Sequence, residues 1–277
     1  MLRYAQVRVD GRPIGYATEG QGAPLLLVPG PPFDHRAWVP AIPYLSGHFR
    51  VVAPDLPGWG SSSGTARDGS PDSLIRTMAG LTTSLRIIPC FVAGASFGGG
   101  IALGLAARYP ERVRALIGVG ALGLQRWPGT LQARLARLAR NVPGLLALGM
   151  RLMPRAQARW FLQNALSDHQ LATDALVEQI AAVLRSRTGR RAMIRALRSV
   201  DDWAFVMRQL GGIRAPTLLV WGERDRIYGL PAAEHLRHAI PGAQLTTIAD
   251  AGHLLPIERP IELAEVMRRF LKTMAPL

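Results

Sequence analysis

Gly94-Ala95-Ser96-Phe97-Gly98 stands between an apolar run, Cys90-Phe91-Val92-Ala93, and an alanine-rich segment from Gly99 to Tyr109. The run reads as a buried strand and the segment as a helix. A serine between two such elements sits on a very tight turn with a strained backbone. Glycines at 94 and 98 follow from that strain, since a side chain at either would collide with the neighbouring strand or helix. The turn exposes the Ser96 hydroxyl at the strand's C-terminal end. It also aims the Phe97 N–H and the positive end of the helix dipole at the same spot. Such a place suits attack on a carbonyl and retention of the resulting oxyanion.

Two later segments repeat the strand-then-loop pattern. Thr217-Leu218-Leu219-Val220-Trp221-Gly222 is an apolar strand that ends in Glu223-Arg224-Asp225-Arg226. Leu245-Thr246-Thr247-Ile248 is another, followed by Asp250-Ala251-Gly252-His253. With the order Ser96, Asp225, His253, each just after a strand, the sequence resembles the α/β-hydrolase family. The resemblance covers essentially the whole chain and is weakest between about 124 and 212. It implies a nucleophile at Ser96, a base at His253 and an orienting acid at Asp225. Each type has its reason. A serine hydroxyl needs a base during attack, and imidazole can take and return a proton near neutrality. The carboxylate fixes the ring's tautomer and stabilises the imidazolium. Glu223 is the main rival acid, with Asp201 and Asp202 behind it. His35 is the rival base, and a substrate contact is its other reading.

One departure from the family pattern concerns the loop after the third strand. The family commonly has His-Gly-x-Pro there, and a backbone N–H of that loop is the second oxyanion donor. Here the stretch is Val28-Pro29-Gly30-Pro31-Pro32-Phe33. Pro31 occupies the donor position and has no N–H. The N–H of Phe33 or Asp34, or a water, is the substitute to look for. Loss of one such donor costs about 10²- to 10³-fold in rate.

Length and composition suit one large α/β domain with an insertion. The chain has 277 residues, of which 48% are hydrophobic and 19% charged, enough for a sizeable core. No apolar run is long enough for a membrane span. Met1-Leu2-Arg3-Tyr4-Ala5 lacks the apolar core of a signal peptide, and the single Cys90 forms no intrachain disulfide. A cytoplasmic protein is expected. No metal-ligand cluster is apparent, His235 and His238 read as surface residues, and no cofactor is expected.

The coarse order begins with a hairpin at Asp10-Gly11. Strands follow at Leu25–Val28, Arg50–Pro54 and Val113–Val119, with helices at about Ser73–Leu85 and Ile261–Met274. Asp55-Leu56-Pro57-Gly58-Trp59-Gly60-Ser61 resembles a structural turn of the family. Alternating strands and helices predict a mostly parallel central sheet covered on both faces. Residues 1–123 and 213–277 are read as this core, and 124–212 as a helical cap inserted over the site. In the cap, Leu131, Leu135, Leu138 and Val142 follow helical spacing, with Arg134, Arg137 and Arg140 on another face. Trp127, Trp160 and Trp203, with Phe161, Met150, Met153, Met193 and Met207, are candidates for an apolar pocket wall.

The charge is lopsided: 33 basic against 19 acidic side chains leave +14, and between 124 and 212 there are 14 arginines and 5 acids. A solvated face is the plain reading, and weak association with an anionic surface the functional one. No nucleic-acid-binding motif accompanies the charge, so no nucleic-acid partner is expected. The expected function is a serine hydrolase acting on an ester or related acyl bond of a partly apolar small molecule. Carbon–carbon hydrolase, lyase or cyclase chemistry on the same fold, or an idle ligand-binding module, are the alternatives that the proline loop keeps open. Typical carbon–carbon hydrolases of this fold carry a Trp just after the catalytic His, where Leu254 stands here.

Overall fold

The computed structural model describes residues 1–62, 69–122 and 142–274, with only the backbone at 143, 145, 200 and 201. Eight strands form one sheet: β1 Arg3–Val9, β2 Arg12–Glu19, β3 Pro24–Val28, β4 Arg50–Pro54, β5 Cys90–Ala95, β6 Val113–Val119, β7 Thr217–Gly222 and β8 Gln244–Ile248. Their order is β1-β2-β4-β3-β5-β6-β7-β8. The first two neighbour pairs are antiparallel and all the others parallel. The central strands are apolar almost without break because helices cover both faces. All of β7 is buried, as is β5 up to Gly94. The edge strand β1 is polar and largely exposed, carrying Arg3, Gln6 and Arg8, which suits an edge that must not pair with another chain.

The hairpin turns at Asp10 and Gly11, both at positive φ. Strand bounds fall within two residues of those read from sequence. The helix expected at Ser73 begins at Pro71, because Ser70 caps it by accepting from the Ser73 N–H and proline at the first turn gives up no needed donor. The last helix likewise starts at Pro260.

Two apolar layers lie on the sheet's faces. Ile75, Met78, Ile101, Leu105, Leu116 and Trp221 belong to one, and Trp38, Leu45, Phe91, Ile117, Leu263 and Met267 to the other. A third cluster joins Leu162, Val177, Ile180 and Leu184 to Phe33 and Leu254. Its helices, Pro143–Leu152, Pro154–Ala165, Asp174–Arg185 and Arg187–Arg198, lie between β6 and β7 in the chain. Leu131, Leu135, Leu138, the arginines among them and Trp127 fall outside the described residues, and Val142 is exposed just before the first of these helices. Among the described residues no helix is long and apolar enough to cross a membrane.

Register places the site. Val28 pairs with Gly94, so the loop after β3 leaves the sheet beside the turn after β5. Gly222 pairs with Ile248, so the loops carrying Asp225 and His253 leave side by side.

Candidate active site

Ser96 occupies a strained backbone conformation, φ 55° and ψ −123°, between β5 and the helix Phe97–Arg108. Its N–H donates to the Val119 carbonyl, and its own carbonyl accepts from Leu122 and Gly99, so the strain is over-determined by surrounding bonds. A Cβ at Gly94 would strike the Gly98 carbonyl, and one at Gly98 the carbonyls of Val28 and Pro29. Only glycine lets the turn, the helix and the neighbouring loop close to this distance. Gly30 meets the same turn from the other side, where a Cβ would lie 2.8 Å from the Ala95 carbonyl oxygen and 3.1 Å from Ser96 Cβ.

Three side chains converge here. His253 Nε2 lies 2.8 Å from Ser96 Oγ, and His253 Nδ1 lies 2.8 Å from Asp225 Oδ2. The other oxygen of Asp225 accepts the N–H groups of Ile227 at 2.8 Å and Tyr228 at 3.0 Å. Burial pushes the Asp225 carboxyl up, but the charge and hydrogen bond of His253 and the two amides outweigh it, and its pKa lies below the ordinary range. With an ionised Asp225 on Nδ1, the histidine carries its proton there and presents Nε2 as acceptor to the serine hydroxyl. The arrangement can take a proton from Ser96 as its oxygen attacks. Glu223 and Asp202 are exposed, and Glu223 accepts from Thr247. Neither meets His253.

Donors for an oxyanion are unequally supplied. The Phe97 N–H starts its helix and has no acceptor within it, and it faces the serine turn beside Gly30. The loop opposite offers less. Pro31 and Pro32 are joined by a cis bond. The Phe33 N–H, read as a possible substitute, donates instead to the Gly30 carbonyl at 3.1 Å, closing a turn. The Phe33 ring is buried and packs 6.3 Å from Phe161 in the third cluster. A cavity of about 20 Å³ adjoins Pro31 and Phe97, under Leu56, Trp59, Ala192 and Arg195, room for about one water.

His35 is not at the serine. Its Nδ1 lies 2.7 Å from Asp55 Oδ1, which also accepts the His35 N–H, while Asp55 Oδ2 accepts from the Ser61 backbone and hydroxyl. Asp55 is buried, and its pKa is lowered: burial raises it, and these bonds more than compensate. Contrary to the sequence expectation, three residues with metal-ligand atoms do gather here, Asp34, His35 and Asp55, within 4.8 Å. Asp34 is already held by Arg36, at 2.7 Å and 2.9 Å, so each carboxylate has its own protein partners.

The pocket-wall expectations divide. Trp203 is buried, edge-on to Phe97 at 4.9 Å and against Gly100, and belongs to the core beneath the serine turn. Trp160 stands 55% exposed and Met153 is exposed too. Met150 and Met207 are buried, and Met193 is partly so. His235 and His238 are exposed on their helix. Two arginines of the segment between β6 and β7 are partly neutralised, Arg155 by Asp174 and Glu178 and Arg159 by Asp174.

Three features escaped the sequence reading. Tyr228 sets its ring edge-on to His253 at 5.0 Å, with its hydroxyl near the Ser96 side chain. Glu258, buried, accepts the N–H groups of Gly252, Ser167 and Asp168. The His253 N–H donates to the Ala165 carbonyl at 2.7 Å. The last two tie the histidine loop to the helix Pro154–Ala165. An aromatic three residues past the acid was the only signal for Tyr228, and an acid five past His253 the only one for Glu258.

Comparison with known proteins agrees with the fold. The sequence model described as alpha/beta hydrolase fold matches residues 23–260. A 2-hydroxymuconate semialdehyde hydrolase of Pseudomonas putida is 33% identical over 93% of this chain and 91% of its own. The dihydrolipoyllysine-residue acetyltransferase component of the acetoin cleaving system, also from Pseudomonas putida, is 32% identical over 91% of this chain, which spans 64% of that relative's length. Among solved structures, Cfl2 from Burkholderia cenocepacia superposes with a TM-score of 0.85 at 28% identity, covering 97% of this chain and 95% of that one.

Proposed function

The chain belongs to the alpha/beta hydrolase fold family, and we propose that within it the protein is a serine hydrolase of ester or related acyl bonds in a partly apolar small molecule. The relay of two 2.8 Å hydrogen bonds from Ser96 through His253 to Asp225 carries this reading. Ser96 Oγ forms a bond to the substrate carbonyl carbon as its proton passes to His253 Nε2. The carbonyl electron pair moves to oxygen, which the Phe97 N–H stabilises. Collapse expels the leaving group, which takes the proton from His253. Water, deprotonated by the same nitrogen, then releases the acid and restores Ser96. Asp225, kept ionised by its three hydrogen bonds, holds the tautomer throughout. In this reading residues 124–212 form the cap that shelters the acyl part, over a core of 1–123 and 213–277.

The identity to the semialdehyde hydrolase favours a second reading, hydrolysis of a carbon–carbon bond next to a carbonyl. Leu254 argues against it, being buried in the third cluster where a Trp is typical. A panel of p-nitrophenyl esters, thioesters and a vinylogous 1,5-diketone, run on the wild type and Ser96→Ala, separates the two. Ester turnover that vanishes in Ser96→Ala supports the first. Turnover of the diketone alone supports the second, and ester turnover undiminished in Ser96→Ala contradicts both.

A further inference from the structure

Accepting Ser96 as the nucleophile, the oxyanion formed there needs a second donor that Pro31 does not supply. The N–H groups of Phe33, His35 and Arg36 already donate to Gly30, Asp55 and Asp34, which leaves the Asp34 N–H as the loop's own candidate. A side-chain donor from another part of the site is the alternative.

We propose that the Tyr228 hydroxyl is that donor, stabilising the oxyanion opposite the Phe97 N–H. The placement follows from the loop after β7. Asp225 Oδ1 accepts the Tyr228 N–H at 3.0 Å, so the carboxylate that orients His253 also fixes the backbone from which the phenol projects. The Tyr228 ring stands at 84° to the His253 ring, centroids 5.0 Å apart, and its hydroxyl lies near the Ser96 side chain. In the resting site Ser96 Oγ is hydrogen-bonded to His253 Nε2 at 2.8 Å, with the phenol hydroxyl nearby. When Ser96 Oγ bonds to carbon, the adjacent carbonyl oxygen gains the electron pair, and the phenol O–H turns to it. No proton leaves Tyr228 in this step. Burial pushes the phenol's pKa well above its ordinary value, so the O–H donor persists across the working range.

The test is Tyr228→Phe, which keeps the ring against His253 and removes only the hydroxyl. Its kcat on an activated ester should fall about 10²-fold, as for loss of one oxyanion donor, with KM and melting temperature close to wild type. Inhibition by an aryl trifluoromethyl ketone, whose adduct with Ser96 mimics the oxyanion, should weaken by a similar factor, while product inhibition stays unchanged. A structural role alone would not split the two inhibitors. Tyr228→Phe/Pro31→Gly, which returns an N–H to the loop, should recover part of the lost kcat. A kcat for Tyr228→Phe within threefold of wild type, or equal weakening of both inhibitors, would overturn the proposal and pass the role to a backbone donor such as the Asp34 N–H. If instead the wild-type turnover survives in Ser96→Ala, the nucleophile assignment fails and not merely the donor.

Discussion

His253 and His35 are held by buried aspartates in nearly the same way. Nδ1 of the first lies 2.8 Å from Asp225 and Nδ1 of the second 2.7 Å from Asp55. Both carboxylates accept further backbone N–H groups, and both have pKa values held low against burial. The difference lies beyond the ring. His253 Nε2 meets Ser96 Oγ on a strained turn, whereas the His35 ring meets the edge of Tyr4, centroids 5.3 Å apart. A histidine–carboxylate pair is thus a means of fixing a ring. It becomes a base only where the second nitrogen faces a nucleophile. At Asp55 the same bonding ties the loop after β3 to the turn after β4, which steadies the loop that leans on Ser96.

The pairs should therefore part under mutation. Ser96→Ala or His253→Ala should lower kcat on an activated ester by about 10⁴- to 10⁶-fold without loss of fold, while His35→Ala should keep activity within about tenfold, since its ring is bonded to Asp55 and the Ser96 hydroxyl is bonded to His253 instead. Asp225→Asn should cost about 10⁴-fold in kcat by favouring the wrong tautomer. Asp55→Ala should act on stability instead, by about 3–5 kcal/mol in denaturant titration, because four donors lose their acceptor. The folded remainder should turn over substrate at a rate near wild type. Substantial activity in His253→Ala, or its loss in folded His35→Ala, would reverse the assignment.

Acid sharpens the same contrast. Both aspartates have lower pKa values folded than unfolded. The stability each contributes is present above the unfolded carboxylate value, near 4, and is lost as pH falls through the lower folded value. Asp55→Asn should flatten this acid limb of the stability curve and leave the pH–rate profile of the surviving enzyme unmoved. A smaller effect belongs to Glu258→Gln. One of its three backbone donors then meets an amide that cannot accept, at a cost of about 1–3 kcal/mol, with a several-fold fall in kcat as the His253 loop loosens from the helix above it. Cys90 marks the lower end: burial pushes its thiol up to about 12, and iodoacetamide should leave both labelling and activity of the native protein unchanged.

The nucleophile turn was legible in sequence because its signals are local: two glycines, a strand and a helix within about twenty residues. The order of Ser96, Asp225 and His253 was legible because each follows an apolar strand. What stayed hidden depends on pairing across the chain. Nothing near His35 says that Asp55 holds it, and nothing near Gly252 says that Glu258 binds its loop to Ser167 and Asp168. Trp203 and Trp160 look alike in sequence, yet one is buried under the serine turn and the other faces water. Apolar character alone does not separate a pocket wall from core. The missing N–H at Pro31 was legible from proline's chemistry, but Phe33 was the wrong substitute because a turn had already taken its N–H.

The most direct measurement is intact-mass labelling with a serine-directed fluorophosphonate, run on the wild type, Ser96→Ala, His253→Ala and His35→Ala. The account predicts rapid addition of a single label to the wild type and to His35→Ala, none to Ser96→Ala, and labelling of His253→Ala slowed by orders of magnitude. Labelling that survives in Ser96→Ala, or that depends on His35 and not on His253, would contradict it.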